Sequence, residues 1–194
     1  MYRAAAIKAM ETKLDLQSGD LETRLRRMLD DARIGFEGEQ IMLDGRDVSR
    51  EIGTPAISDL ASRLSTFAAV RTHMRDLQRR LGERGGVVME GRDIGTAVFP
   101  DAEFKFFLDA DVEVRARRRY AELAAKQVPT SFNEVLEQLR ERDVRDRGRA
   151  LAPLKRADDA LLIDATNLDA DQVVNQMKSR IVAGGKAGKG LKRN

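Results

Sequence analysis

Three short apolar runs, "GVVME" at 86–90, "FKFFLDA" at 104–110 and "ALLIDA" at 160–165, constrain the fold of this chain more than any other feature. Each is followed by a small or acidic residue and then by a helical pattern. A strand that is apolar at consecutive positions must be covered on both faces, and helices between successive strands supply that cover. The pattern predicts an α/β fold with a parallel sheet flanked by helices. At 194 residues the chain fits one domain, and 42% hydrophobic residues suffice for a core.

The first half has a different texture. "MYRAAAIKAM" and "LETRLRRMLDDA" space their apolar residues as helices do. In "RIGFEGEQIMLDGRDVSREI" short β-like runs break at Glu37-Gly38 and Asp44-Gly45, which predicts a hairpin or small sheet. Thr54 fits an N-cap with Pro55 at the first helical position, opening a helical region through Phe67. A further helix is predicted from Val70 to Glu83, ending before Gly85-Gly86. The reading is an α/β domain with a mostly helical insertion that carries a small hairpin.

Composition removes several classes of chemistry. The chain has no cysteine, which excludes disulfides and thiolate metal sites, and one histidine, His73, which argues against a histidine metal cluster or a serine-protease triad. No metal site is expected. The N-terminus lacks a signal-peptide pattern and no apolar run reaches membrane-spanning length, so a cytoplasmic chain without a membrane partner is expected. The net charge of +3 is concentrated at one end: removing Lys186, Lys189, Lys192 and Arg193 leaves −1. Residues 183–194 are therefore read as a basic, disordered tail. An RNA- or DNA-binding role for that tail ranks last among the functions considered, and no nucleic-acid partner is expected.

Charge appears where hydrocarbon should. Along the helix predicted at 132–147, Phe132, Val135, Leu136 and Leu139 form an inward stripe whose continuation meets Arg142, Asp146 and Arg149. Buried charges need partners or a ligand; a frayed, solvated helix end is the bland alternative. In "EGRDIGT", Arg92 and Asp93 fall just beyond the predicted strand "GVVME", where open α/β sheets bind ligands, although a salt bridge capping the strand would look the same. In "VRARRRY", Arg115, Arg118 and Arg119 share a helix face that could neutralise phosphates or simply be solvated.

Taken together, "GRDIGTAVFPDAEFKFFLDA", "RARRRY", "RERDVRDRGRALAPL", "LLIDAT" and the insert "DGRDVSREI…TPAISDLASRLSTFAAVR" resemble bacterial cytidylate kinase, a branch of the P-loop nucleoside monophosphate kinases. The resemblance is collinear from Met1-Tyr2-Arg3 to about residue 182. It implies a P-loop NTPase-like sheet, a CMP-binding insert at about 33–84 and a helical lid at about 112–150. The implied reaction is transfer of the γ-phosphoryl group of ATP, with Mg²⁺, to CMP or dCMP by a monomer. Arg3, Arg92 and Arg149 resemble the arginines that hold the CMP phosphate. Ser62, Arg71 and Asp93 resemble the cytosine readers, and Arg142 and Asp146 the pair near the ribose. Arg115, Arg118 and Arg119 match lid arginines that face ATP. The base chemistry agrees: cytosine offers an N4 donor to Asp93 and acceptors at O2 and N3 to Arg71 and Ser62, whereas uracil reverses part of that edge.

The chain departs from the family at the donor site. A P-loop, G-x-x-x-x-G-K-[ST], cradles the donor phosphates and supplies a Mg²⁺ ligand, and no such run occurs in this sequence; "GGKAGKG" lacks the following Ser or Thr. The resemblance implies a strand, a P-loop helix and a second strand before Tyr2. The chain is thus expected to be an N-terminally incomplete copy, inactive and loosely folded or aggregated when alone. The alternative is a non-catalytic nucleotide-binding or regulatory protein that keeps only the CMP site.

Overall fold

The computed structural model describes residues 1–188. Its best-packed part is built from the first 82 residues. Helix α1 (Tyr2–Glu11) buries Ala4, Ala5, Ala6, Ile7 and Ala9, and these small side chains let it lie close against α3 (Pro55–Leu64). Helix α2 (Leu21–Asp31) buries Leu21, Leu25, Met28 and Leu29, an i, i+4, i+7, i+8 stripe that packs on α4 (Ala68–Gly82). Glu22 of α2 caps α4 across this contact: its carboxylate accepts from the Ala68 and Ala69 amides at 3.2 and 3.1 Å.

Between α2 and α3 lies a three-stranded antiparallel sheet of β1 (Ile34–Glu37), β2 (Gln40–Leu43) and β3 (Arg46–Asp47). The turns fall at the expected breaks. Asp44 and Gly45 both have positive φ, 53° and 82°, the backbone that a tight two-residue hairpin demands. After a 3₁₀ turn at Glu51–Gly53, the Thr54 hydroxyl accepts from the Ile57 amide at 3.4 Å with Pro55 at the first turn, as predicted. The helical region expected through Phe67 ends at Leu64, and α4 begins at Ala68.

The second half is thinner. A π-helical turn, Ile94–Val98, follows Asp93, whose carbonyl accepts from the Ala97 amide at 2.8 Å. Strands β4 (Phe106–Asp109) and β5 (Leu161–Asp164) pair in parallel, Phe106 opposite Leu161 and Asp109 opposite Asp164. The crossover between them is a helical hairpin. Helix α5 (Val112–Ala125) starts at Asp111, whose carboxylate accepts from the Glu113 and Val114 amides. Helix α6 (Phe132–Gly148) starts at a capping box in which Ser131 and Glu134 satisfy each other's backbone amides. Helix α7 (Ala170–Gly188) ends the described chain.

The α/β class with a parallel sheet flanked by helices is therefore present, but one expected strand is not. Residues 86–90 form no strand: Val88 is fully exposed and Val87 half-exposed. An extended segment becomes a strand only through ladder hydrogen bonds, and among the described residues "GVVME" meets no partner strand. The exposure of Leu108 on β4 and Leu162 on β5 has the same origin, apolar strands with open faces. The expected tail boundary at 183 falls inside α7, and residues 189–194, which carry most of that basic tail, lie outside the described residues. Among the described residues no helix is long and apolar enough to cross a membrane.

Candidate functional site

The inward charges on α6 are not frayed into water. Asp146 is 2% exposed and forms the centre of an arginine cluster. Its Oδ2 accepts from Arg92 Nε at 3.0 Å and lies 3.7 Å from Arg142 Nε, while its Oδ1 lies 3.7 Å from Arg149 Nη1. One carboxylate thus faces three guanidiniums. Burial pulls down the Arg142 pKa, and the neighbouring charges of Arg92 and Arg3 act in the same direction. Burial also lowers that of Arg149, with Arg71 adding to the effect.

Three buried guanidinium nitrogens, Arg142 Nε and Arg149 Nε and Nη2, have no hydrogen-bond partner among the described residues. Leaving such a donor unpaired costs about 1–3 kcal/mol, and more for a charged group, so the cluster is short of acceptors. A bound anion would supply them.

Arg3 approaches from α1. Its Nη1 donates to the Ile52 carbonyl at 2.8 Å, and its pKa is lowered by burial and then by the charge of Arg119. Arg119, on α5, donates to the adjacent Gly53 carbonyl at 3.4 Å and pairs with Glu122 at 2.7 Å. Two arginines, one from α1 and one from α5, therefore converge on the 3₁₀ turn at Glu51–Gly53.

Beside the cluster, Arg71 of α4 is ion-paired with Asp93, and both are buried. Arg71 Nη1 also donates to the Ser65 carbonyl at 3.4 Å. Tyr2 sits near this pair, its phenol pKa raised by burial. Ser62 is 5% exposed, and its hydroxyl accepts from Arg145 Nη1 at 2.9 Å.

The structure thus brings Arg3, Arg92, Arg142, Asp146 and Arg149 together, with Ser62, Arg71 and Asp93 alongside. It does not bring Arg115 and Arg118 to them. Arg115 makes a bidentate pair with Asp143 of α6 at 3.2 and 2.6 Å, which raises its pKa, and Arg118 Nη2 donates to the carbonyls of Ala165, Thr166 and Leu168.

Sequence reasoning missed Ser58, Ser65 and Arg145. Arg142 Nη1 donates to Ser58 Oγ at 3.3 Å and Arg149 Nη1 to Ser65 Oγ at 2.9 Å, so the three serines face three arginines in order. The signal was available: Ser58, Ser62 and Ser65 stand at i, i+4, i+7 on one face of α3 and its C-terminal turn.

Among the described residues no group of three or more Asp, Glu or His side chains is placed to hold a metal ion. An open groove of about 490 Å³ between β5 and α7 is lined by Leu161–Ile163, Asn175, Gln176, Ser179 and Arg180, none of which belongs to the cluster.

Residues 1–182 match the cytidylate kinase family. Among curated proteins, the chain is 45% identical over 177 residues to cytidylate kinase 1 of Haemophilus influenzae, covering 91% of this chain and 77% of that protein. It is 46% identical over 181 residues to the cytidylate kinase of Syntrophotalea carbinolica, covering 91% and 76%. With that of Carboxydothermus hydrogenoformans the identity is 41% over 181 residues, covering 91% and 80%.

Proposed function

This chain belongs to the cytidylate kinase family of phosphotransferases, and we propose that it carries the acceptor site at which CMP or dCMP receives the γ-phosphoryl group of ATP. One observation carries the proposal: the buried donors of Arg142 and Arg149 that lack acceptors, beside a carboxylate already shared by three arginines. A nucleoside monophosphate brings an anion with three acceptor oxygens to that place.

In this reading Arg3, Arg92 and Arg149 hold the phosphate, orienting it and spreading its charge, which is the main work a protein does in phosphoryl transfer. Arg142 and Asp146 flank the ribose. Asp93 accepts from cytosine N4, and Arg71 and Ser62 serve O2 and N3. The Arg71–Asp93 pair pre-positions both groups, so base binding does not have to order them. Residues 33–84 act as the CMP insert and 112–150 as the lid. Of the lid arginines, Arg119 already stands near Arg3, whereas Arg115 and Arg118 face ATP only after leaving their present partners.

The residues of this chain do not fit the donor. No G-x-x-x-x-G-K-[ST] run occurs to cradle ATP phosphates or to offer Mg²⁺ a hydroxyl, so no step is assigned to the donor side. The 194-residue polypeptide is accordingly expected to bind CMP without forming CDP. Calorimetric titration of this polypeptide with CMP and with cytidine tests the proposal. Saturable CMP binding that weakens at least tenfold when the phosphate is removed supports it. Equal affinity for the two, or binding of neither, overturns it.

A further inference from the structure

The three arginine–serine bonds between α6 and α3 are alike in geometry but not in what they leave unused. Ser65 is engaged both as acceptor and as donor: its hydroxyl accepts from Arg149 and donates to the Ser62 carbonyl at 2.7 Å. Ser62 is not. Its Oγ accepts from Arg145 at 2.9 Å, yet its hydroxyl hydrogen meets no acceptor among the described residues. Arg145 itself is held by two anchors, Ser62 and the Asp59 carboxylate at 3.3 Å. Arg145 lies within "RERDVRDRGRALAPL", but the family resemblance gave it no role.

A guanidinium has only donors. With Arg145 on one side of Ser62 Oγ, a lone pair must face the arginine and the hydrogen must point elsewhere. Accepting from a cation also polarises the O–H bond and strengthens it as a donor. A second lone pair remains, but a hydroxyl that accepted from the base as well would leave its own hydrogen without an acceptor, so donation to the base is favoured.

We propose that Arg145 is a specificity-positioning residue that holds Ser62 as a hydrogen-bond donor, so that the site takes a pyrimidine with an acceptor at N3 over one with N–H there. Cytosine has the acceptor; uracil would set donor against donor. The inference rests on the reading of Ser62 as a base-facing residue. It adds a second layer of discrimination to Asp93, which reads the exocyclic group rather than the ring nitrogen.

The test compares dissociation constants for CMP and UMP in the wild-type chain, Arg145→Met, Arg145→Lys, Ser62→Ala and the Arg145→Met/Ser62→Ala double variant. Arg145→Met is expected to lower the CMP-over-UMP ratio roughly tenfold, the scale of one hydrogen bond's polarity at a partly buried site. Arg145→Lys keeps a cationic donor beside Ser62 and should retain most of the ratio. In the Ser62→Ala background, Arg145→Met should change it no further. A purely structural role would lower the melting temperature without moving the ratio. An unchanged ratio in Arg145→Met, with Ser62→Ala lowering it, overturns the inference alone. An unchanged ratio in Ser62→Ala, or a wild-type chain that does not distinguish the two nucleotides, overturns the reading of Ser62 as well.

Discussion

Asp146 and Arg92, 54 residues apart in sequence, meet through a 3.0 Å hydrogen bond that joins α6 to the loop before the π-helical turn. The carboxylate is almost wholly buried and Arg92 is half-exposed. Asp146 also faces Arg142 and Arg149, so one buried carboxylate is shared by three guanidiniums.

Removing that charge should be costly. Asp146→Ala is expected to destabilise the fold by about 3 kcal/mol, the lower end for stripping a buried pair of one partner, because Arg92 can turn to water. Added inorganic phosphate should restore part of the loss by supplying the missing anion. Urea denaturation with and without phosphate measures both. A loss no larger than for an exposed carboxylate would contradict the hub role.

Asp93→Asn keeps the shape of the side chain but replaces a pure acceptor with a group that can also donate. The variant should narrow the preference for CMP over UMP by about tenfold or more, since an amide can meet the uracil O4. Paired titrations with the two nucleotides read this directly. An unchanged preference would remove Asp93 from the base site.

Arg115 and Arg119 lie one helical turn apart on α5 and should behave differently. Arg115→Ala breaks the bidentate contact with Asp143 that ties α5 to α6, so it should lower thermal stability and leave CMP affinity within about twofold, since it touches no group of the proposed CMP site. Arg119→Ala removes a charge next to Arg3 and should weaken CMP binding severalfold with little change in melting temperature. The reverse pattern would exchange their roles.

The α5–α6 hairpin should respond to acid through Glu122. Its hydrogen bonds to Lys126 and Arg119 pull its pKa down to about 2 from the ordinary glutamate value. A depressed folded-state pKa stabilises the fold above the unfolded-state value and ceases to do so as pH falls toward the folded one. Melting temperature should therefore decline between pH 4.5 and about 2, and Glu122→Gln should flatten part of that decline. The effect will be small, because the group is largely exposed. Identical profiles for the two proteins would contradict it.

Much of the fold can be read along the chain because its signals are local. Thr54-Pro55, the breaks at Glu37-Gly38 and Asp44-Gly45, and the stripe Phe132–Leu139 each act within a turn or two of backbone. "GVVME" fails for the opposite reason: a strand is a property of two segments, and apolarity alone cannot say whether a partner lies beside it. At the site, the arginines and aspartates stand out as charge on faces that should be apolar. The i, i+4, i+7 spacing of Ser58, Ser62 and Ser65 is visible along the chain, but it does not say which side chains meet those serines, and Arg145 among arginines departs from no pattern. Only the approach of α6 to α3 pairs them.

A crystal structure of this chain with CMP bound is the sharpest test of the acceptor site. It should show the phosphate among Arg3, Arg92 and Arg149, with Arg149 Nε or Nη2 now bonded to a phosphate oxygen, and the cytosine edge against Asp93, Arg71 and Ser62. A nucleotide seated elsewhere, with the nitrogens of Arg142 and Arg149 still unpaired, would contradict it.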